Sequence, residues 1–186
     1  IGLKYDWYCL CLENYALKSN TDHAIFKGPF QVDIKQEKRP TPTMARQADF
    51  KVELGGTIPM WKVNEEINTD KSRVRPGLIC HFGGFLDSPD TEYISGGVSG
   101  KEINAVAIGR HGNFFHWGFA AAPDVMTPAG EAVLANAVVY TAGLHGKKVL
   151  SRKYSDRVLT SYDIEKRMNS ATPKAFDLIA QLNKSQ

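Results

Sequence analysis

The segment 103–143 constrains the fold of this chain more than any other part, because its strand, turn and helix signals follow one another without interruption. Residues 104–109 predict a β-strand and residues 114–119 a second one. Between them, residues 110–113 form a tight-turn sequence in which Gly112 supplies the positive backbone angle that such a turn needs. The segment therefore predicts a β-hairpin.

A helix with complete end signals is predicted directly after this hairpin. Thr127 suits the N-cap, Pro128 the first helical position, and Glu131 places negative charge near the positive end of the helix dipole. Gly143 is the expected terminator. The residues expected on the buried face have helical spacing and are Val133, Leu134, Ala137, Val138 and Thr141.

The rest of the chain predicts further strands and a helical tail. Short β-prone runs occur at 5–12, 30–34, 61–63 and 78–82. Turn-forming residues in 35–49 and 84–100 predict surface connections, of which the second has the backbone freedom to wrap a ligand. Two helices are expected in the tail, one over 161–169 and one after Pro173. We therefore divide the chain into one domain, 1–150, and a tail, 151–186.

The composition of the 186-residue chain excludes several classes of protein. Its 23 basic and 20 acidic side chains are mixed along the sequence, which argues against a nucleic-acid partner. No apolar run approaches the roughly 20 residues of a membrane-spanning helix, so no membrane span is predicted. The three cysteines form no zinc-ligand pattern and no disulfide framework, and the sequence predicts neither a metal nor a cofactor.

Three segments resemble the ThuA-like (trehalose utilisation-like) proteins of the class I glutamine amidotransferase-like superfamily. They are 23–30, 109–119 and 123–127. The resemblance implies an α/β fold in which this chain is the C-terminal part of a flavodoxin-like doubly wound sheet, with the β-hairpin, the capped helix and the helical tail. It also implies that the first half lies before Ile1, so that the chain is a processed or cut piece.

A half sheet would expose an open edge and an uncovered face. We therefore expect a companion polypeptide or a second copy of the chain to complete the sheet. The resemblance further favours a bacterial protein with a periplasmic or extracellular location.

The same resemblance identifies His116 as the candidate catalytic residue. In true amidotransferases of this class a Phe-His-Pro-Glu-like motif supports a cysteine nucleophile, and here residues 115–116 match only its first half. Trp117 and Gly118 take the places of the proline and the glutamate, and no cysteine lies in a suitable strand-to-helix turn. The complete amidotransferase triad is therefore not present.

The sequence supports three hypotheses about function. The first is a noncatalytic or ligand-binding ThuA-like module, related to carbohydrate, whose contacts are Arg110, His111, Asn113, His116 and Trp117. The second is a hydrolase or transferase with His116 or His81 as base and Asp87, Asp90 or Glu92 nearby. The third is a structural subunit that docks through its aromatic N-terminal arm and helical tail. A further interpretation is equally open: the aromatic residues of the hairpin belong to the hydrophobic core, and its polar residues form an ordinary turn without a binding role.

Overall fold

The protein has a mixed α/β fold in which an antiparallel sheet precedes the α-helices in the described part of the chain. The computed structural model describes the residues 8–9, 12–42, 55–65, 68–69, 72–73, 77–80, 82, 85–86, 88–99, 103–148, 150 and 161–184. Within these residues, no helix is long and apolar enough to cross a membrane.

The strands described in the structure are short, and eight of them form one sheet. In chain order the strands are β1 (Tyr8–Cys9), β2 (Tyr15–Leu17), β3 (Gln36–Pro40), β4 (Thr57–Lys62), β5 (Asn68–Thr69), β6 (Ser72–Arg73), β7 (Ile79–Cys80), β8 (Thr91–Gly97), β9 (Val106–His111) and β10 (Phe114–Trp117). The sheet has the order β1-β7-β9-β8-β2-β4-β3, and β10 pairs with β9. Strands β5 and β6 pair separately.

The flavodoxin-like doubly wound arrangement is not confirmed, because every strand pair in the structure is antiparallel. A doubly wound sheet needs parallel strands joined by helical crossovers. In the described residues before Pro128, the only helices are two single 3-10 turns, Ala24–Phe26 and Pro123–Val125. Completion of the sheet by a companion polypeptide or a second copy stays a prediction.

The predicted hairpin is confirmed and consists of β9 and β10. Gly112 and Asn113 form its two-residue turn, and Gly112 has a φ of 59°, which is the left-handed conformation expected of it. The predicted turn was too long. Arg110 and His111 belong to β9, where they pair with Phe115 and Phe114. Two residues are enough to reverse the chain, because glycine accepts the left-handed backbone that a short turn requires.

The predicted helix is also confirmed as α1 (Pro128–Ala142), with Gly143 as its C-cap. The Thr127 hydroxyl oxygen accepts a hydrogen bond from the Gly130 N–H at 3.1 Å. The same hydroxyl lies 2.9 Å from the carbonyl oxygen of Lys62 at the end of β4. The cap therefore also fixes the start of α1 against the sheet.

The buried face of α1 differs from the predicted one. Its buried residues are Gly130, Val133, Asn136 and Ala137. Val138, which was predicted to be buried, is 64% exposed. Because α1 carries apolar residues around most of its circumference, their spacing alone did not show which side faces the sheet.

Other predictions for the chain have mixed outcomes. The two tail helices are confirmed as α2 (Ser161–Ser170) and α3 (Pro173–Lys184). The predicted strand 30–34 is wrong, since residues 31–35 have no regular structure, and both predicted connections instead contain strands, β3 and β8. The main core lies between the sheet and α1 and includes Leu12, Trp61, Ile108, Phe119 and Val133.

Replacing the N-cap residue, Thr127→Ala, is expected to lower the free energy of unfolding by about 1 kcal/mol, because the first turn of α1 loses its side-chain cap. Thermal and urea unfolding followed by circular dichroism measure this loss. Thr141→Ala is the matched control, since the Thr141 hydroxyl donates back to the Ala137 carbonyl within the helix and caps no end of it. Equal losses in the two variants would contradict a specific role of the cap.

Candidate functional site

The candidate site residues lie on both faces of the β9–β10 hairpin. Arg110 pairs with Phe115, and Gly109 pairs with His116. Neighbouring residues of a strand point to opposite faces of the sheet. Arg110, Phe115 and Trp117 therefore share one face, on which Phe115 and Trp117 pack against the core beneath α1. His111 and His116 belong to the other face.

Arg110 is the buried centre of an ion-pair network on the α1 side. Its side chain is 5% exposed, and its guanidinium lies 2.6 Å from the Asp90 carboxylate. The Nε atom lies 2.8 Å from Oε2 of Glu92, and Nη2 donates to Oε1 of Glu92 at 2.9 Å. Nη1 donates to the carbonyl of Gly112, so that the network also holds the hairpin turn.

Glu92 extends this network to two further elements. Its Oε2 atom accepts a hydrogen bond from the Tyr140 hydroxyl of α1 at 2.6 Å, and Nε2 of His23 lies 3.2 Å away. Nδ1 of His23 accepts a bond from the Ile25 N–H, so Nε2 is the protonated nitrogen. Both nitrogens of His23 thus have a partner, and the imidazole links β8 to the 3-10 turn Ala24–Phe26.

The network keeps Glu92 ionised and Tyr140 protonated near neutral pH. Hydrogen bonding from Arg110 lowers the pKa of Glu92 to about 2, although burial opposes this shift. Burial, together with the Glu92 carboxylate, raises the pKa of Tyr140 to about 12. A carboxylate that stays ionised and a phenol that stays protonated hold a structure together rather than exchange protons.

His116 lies apart from these carboxylates. It is 5% exposed, and burial lowers the pKa of its imidazole to about 4, although the backbone carbonyls of Leu78 and Val106 favour the protonated form. Asp90 and Glu92 contact Arg110 on the opposite face of the hairpin. The alternative base, His81, and the third acidic candidate, Asp87, lie outside the described residues. The hydrolase or transferase alternative stays a prediction.

Two of the predicted ligand-binding residues, Asn113 and Trp117, do come together. They line a groove of about 650 Å³ between the hairpin and the C-terminal half of α1, which we call the hairpin–helix pocket. Its remaining lining residues are Phe115, Leu134, Ala137, Val138, Thr141, Ala142, Leu144, His145 and Gly146. The Nε1 atom of Trp117 is buried and has no hydrogen-bond partner in the described part of the chain.

The pocket also contains polar residues that the sequence did not single out as ligand contacts, Thr141 and His145. Thr141 lies in the last turn of α1, and His145 lies in the turn that follows the helix. The sequence did not show that this end of the helix approaches the hairpin turn. Arg110 and His111, which were predicted to join Asn113 and Trp117, are not among the lining residues of the pocket.

Comparisons with protein-family models, with curated proteins and with solved structures found no match to this chain. In the part of the chain that the structure describes, no group of three or more His, Cys, Asp or Glu side chains is placed to hold a metal ion.

Proposed function

We propose that this chain is a noncatalytic, ThuA-like ligand-binding module that holds a sugar ring in the hairpin–helix pocket. The observation that carries the proposal is the meeting of Trp117 and Asn113 with Thr141 and His145 around one groove. The groove volume of about 650 Å³ lies within the usual range of small-molecule sites, roughly 300 to 1,000 Å³.

The chemistry of the lining matches both parts of a sugar. The C–H faces of a sugar ring are apolar and stack on aromatic rings, which Trp117 and Phe115 supply. Sugar hydroxyls need donors and acceptors, and the Asn113 amide has both. The Thr141 hydroxyl donates to the Ala137 carbonyl at 2.6 Å, which leaves its oxygen lone pairs to accept from a ligand.

Trp117 supplies a further argument for a ligand. A buried indole N–H without a partner costs free energy, and buried donors in proteins are nearly always satisfied. The Trp117 N–H is buried and has no partner in the described residues, while its ring belongs to the pocket wall. The N–H itself is buried beneath the pocket wall, so a ligand hydroxyl or a water would satisfy this donor only if the indole ring turned toward the pocket.

Isothermal titration with glucose, galactose, maltose and trehalose tests the proposal. We expect saturable binding of at least one of these sugars, and an affinity at least about tenfold lower in Trp117→Ala and in Asn113→Ala, which corresponds to about 1.4 kcal/mol. Phe114→Ala is the matched control. Phe114 is an aromatic residue of the same hairpin, is half exposed and does not line the pocket.

The proposal fails if none of the four sugars binds saturably. It also fails if Phe114→Ala weakens binding as much as Trp117→Ala does, because the pocket would then not be the site. Circular dichroism of each variant separates a loss of binding from a loss of fold.

A further inference from the structure

Helix α1 presents an apolar surface to solvent on the side away from the sheet. Val138 is 64% exposed and Val139 is 49% exposed. Glu131, Ala135, Val138 and Ala142 follow one another at intervals of four, three and four residues. This is the spacing by which one helix packs along another, and the small side chains of the alanines permit a close approach. We call these four residues the outer seam.

Charged residues differ between the two ends of α1. Asp124 and Glu131, both exposed, lie before and within its first turn. Lys147 and Lys148, also exposed, follow its C-terminal end, as does the exposed His145. The surface over α1 and its two ends is thus acidic at one end, basic at the other and apolar in the middle. Such a surface is complementary to itself when a second copy is laid against it in the opposite direction.

We propose that a second copy of this chain docks on the outer seam, so that the two α1 helices pack antiparallel about a two-fold axis between Ala135 and Val138. In that arrangement Val138 of each copy contacts Ala135 of the other. Glu131 faces the other copy's Ala142 and approaches its His145. Asp124 lies close to the other copy's Lys148, and the antiparallel helices also oppose their dipoles favourably.

The choice of a second copy rests on this end-to-end reversal of charge. An unrelated apolar partner would explain Val138 and Val139, but it would not require acid at one end and base at the other. In a two-fold symmetric dimer, the acidic end of each copy meets the basic end of the other. Every such pair therefore occurs twice in the interface. Val138 and Ala142 also line the hairpin–helix pocket, so this contact would cover part of the pocket. The inference concerns the protein without ligand and does not require that a sugar binds.

Sedimentation velocity from micromolar to near-millimolar concentration tests the inference on the ligand-free chain. The wild type is expected to shift from the mass of one chain to the mass of two as its concentration rises. Val138→Glu is expected to remain at one chain throughout. Met168→Glu, which alters an exposed apolar residue of α2 that is 68% exposed, is the matched control and should behave as the wild type.

Charge reversal supplies a second test with residues that do not line the hairpin–helix pocket. Lys148→Glu should weaken the dimer about tenfold, because attraction becomes repulsion in two symmetric pairs. Adding Asp124→Lys to Lys148→Glu should restore it.

A wild type that stays at one chain overturns the inference, as does a dimer that persists in Val138→Glu or a double reversal that restores nothing. If the dimer behaves as expected and no sugar binds even to the Lys148→Glu variant at concentrations where it is a single chain, the proposed function fails while this inference stands.

Discussion

Arg110→Met is expected to lower the free energy of unfolding by about 3 kcal/mol, because it leaves two carboxylates without the cation that they share. The guanidinium is buried, whereas the Glu92 side chain is one third exposed and the Asp90 side chain is 42% exposed. Solvent screens the abandoned carboxylates in part, so the loss should fall at the lower end of the range for broken buried pairs. Urea unfolding at neutral pH measures it.

Two further variants show whether the loss comes from the network. Lys27→Met removes an ion pair with Asp22 in which both side chains are well exposed, and its effect should stay below about 0.5 kcal/mol. Glu92→Gln in the Arg110→Met background should recover part of the loss, because it removes one uncompensated charge. If Arg110→Met cost no more than Lys27→Met, the network would not be the structural centre that its geometry indicates.

The sequence predicted the parts of the fold that depend on local interactions. The turn at Gly112 and the cap at Thr127 are recognisable because each conformation requires particular residues within a few positions of one another. The two tail helices were predicted for the same reason. Strands β3 and β8 were missed because their stability comes from distant partners, β4 for the first and β9 and β2 for the second. Their sequences contain the proline, glycine and charged residues that are typical of loops.

No local sequence pattern predicted whether the strands pair in parallel or antiparallel. The resemblance to ThuA-like proteins led us to expect parallel strands, whereas the described pairs are antiparallel. Individual short strands have nearly the same composition in both arrangements, since β-propensity reflects burial and packing more than strand direction. Only the long-range pairing distinguishes the two.

The candidate site was predicted only in part. The hairpin was predicted correctly, but its turn was predicted to be too long. Asn113 and Trp117 reach the hairpin–helix pocket. Arg110 was expected beside them, but its place within β9 directs it to Asp90 and Glu92. Arg110 shares a face with Trp117, but Asp90 and Glu92 hold its guanidinium away from the pocket. His111 follows Arg110 in β9 and therefore points to the opposite face of the hairpin. The partners of Arg110 come from β8, which was not predicted as a strand.

Lowering the pH from 6.5 to about 4 is expected to reduce the stability of the wild type by about 3 kcal/mol more than that of His116→Gln. The pKa of His116 falls from its ordinary value of 6.5 to about 4 in the folded protein, chiefly because the imidazole is buried. Below pH 6.5 the unfolded chain therefore takes up a proton that the folded chain does not. The contribution of His116 to stability is complete above that pH and is lost as the pH falls towards 4.

Urea unfolding at several pH values between 4 and 7 measures this difference, and the comparison with His116→Gln removes the common contribution of the carboxylates that titrate near the lower limit. His145→Gln is the control, because it makes the same substitution at an exposed histidine. Parallel profiles for the wild type and His116→Gln would mean that solvent reaches the imidazole. That result would also remove the present objection to His116 as a catalytic base, because an accessible histidine with an ordinary pKa could exchange protons near neutral pH.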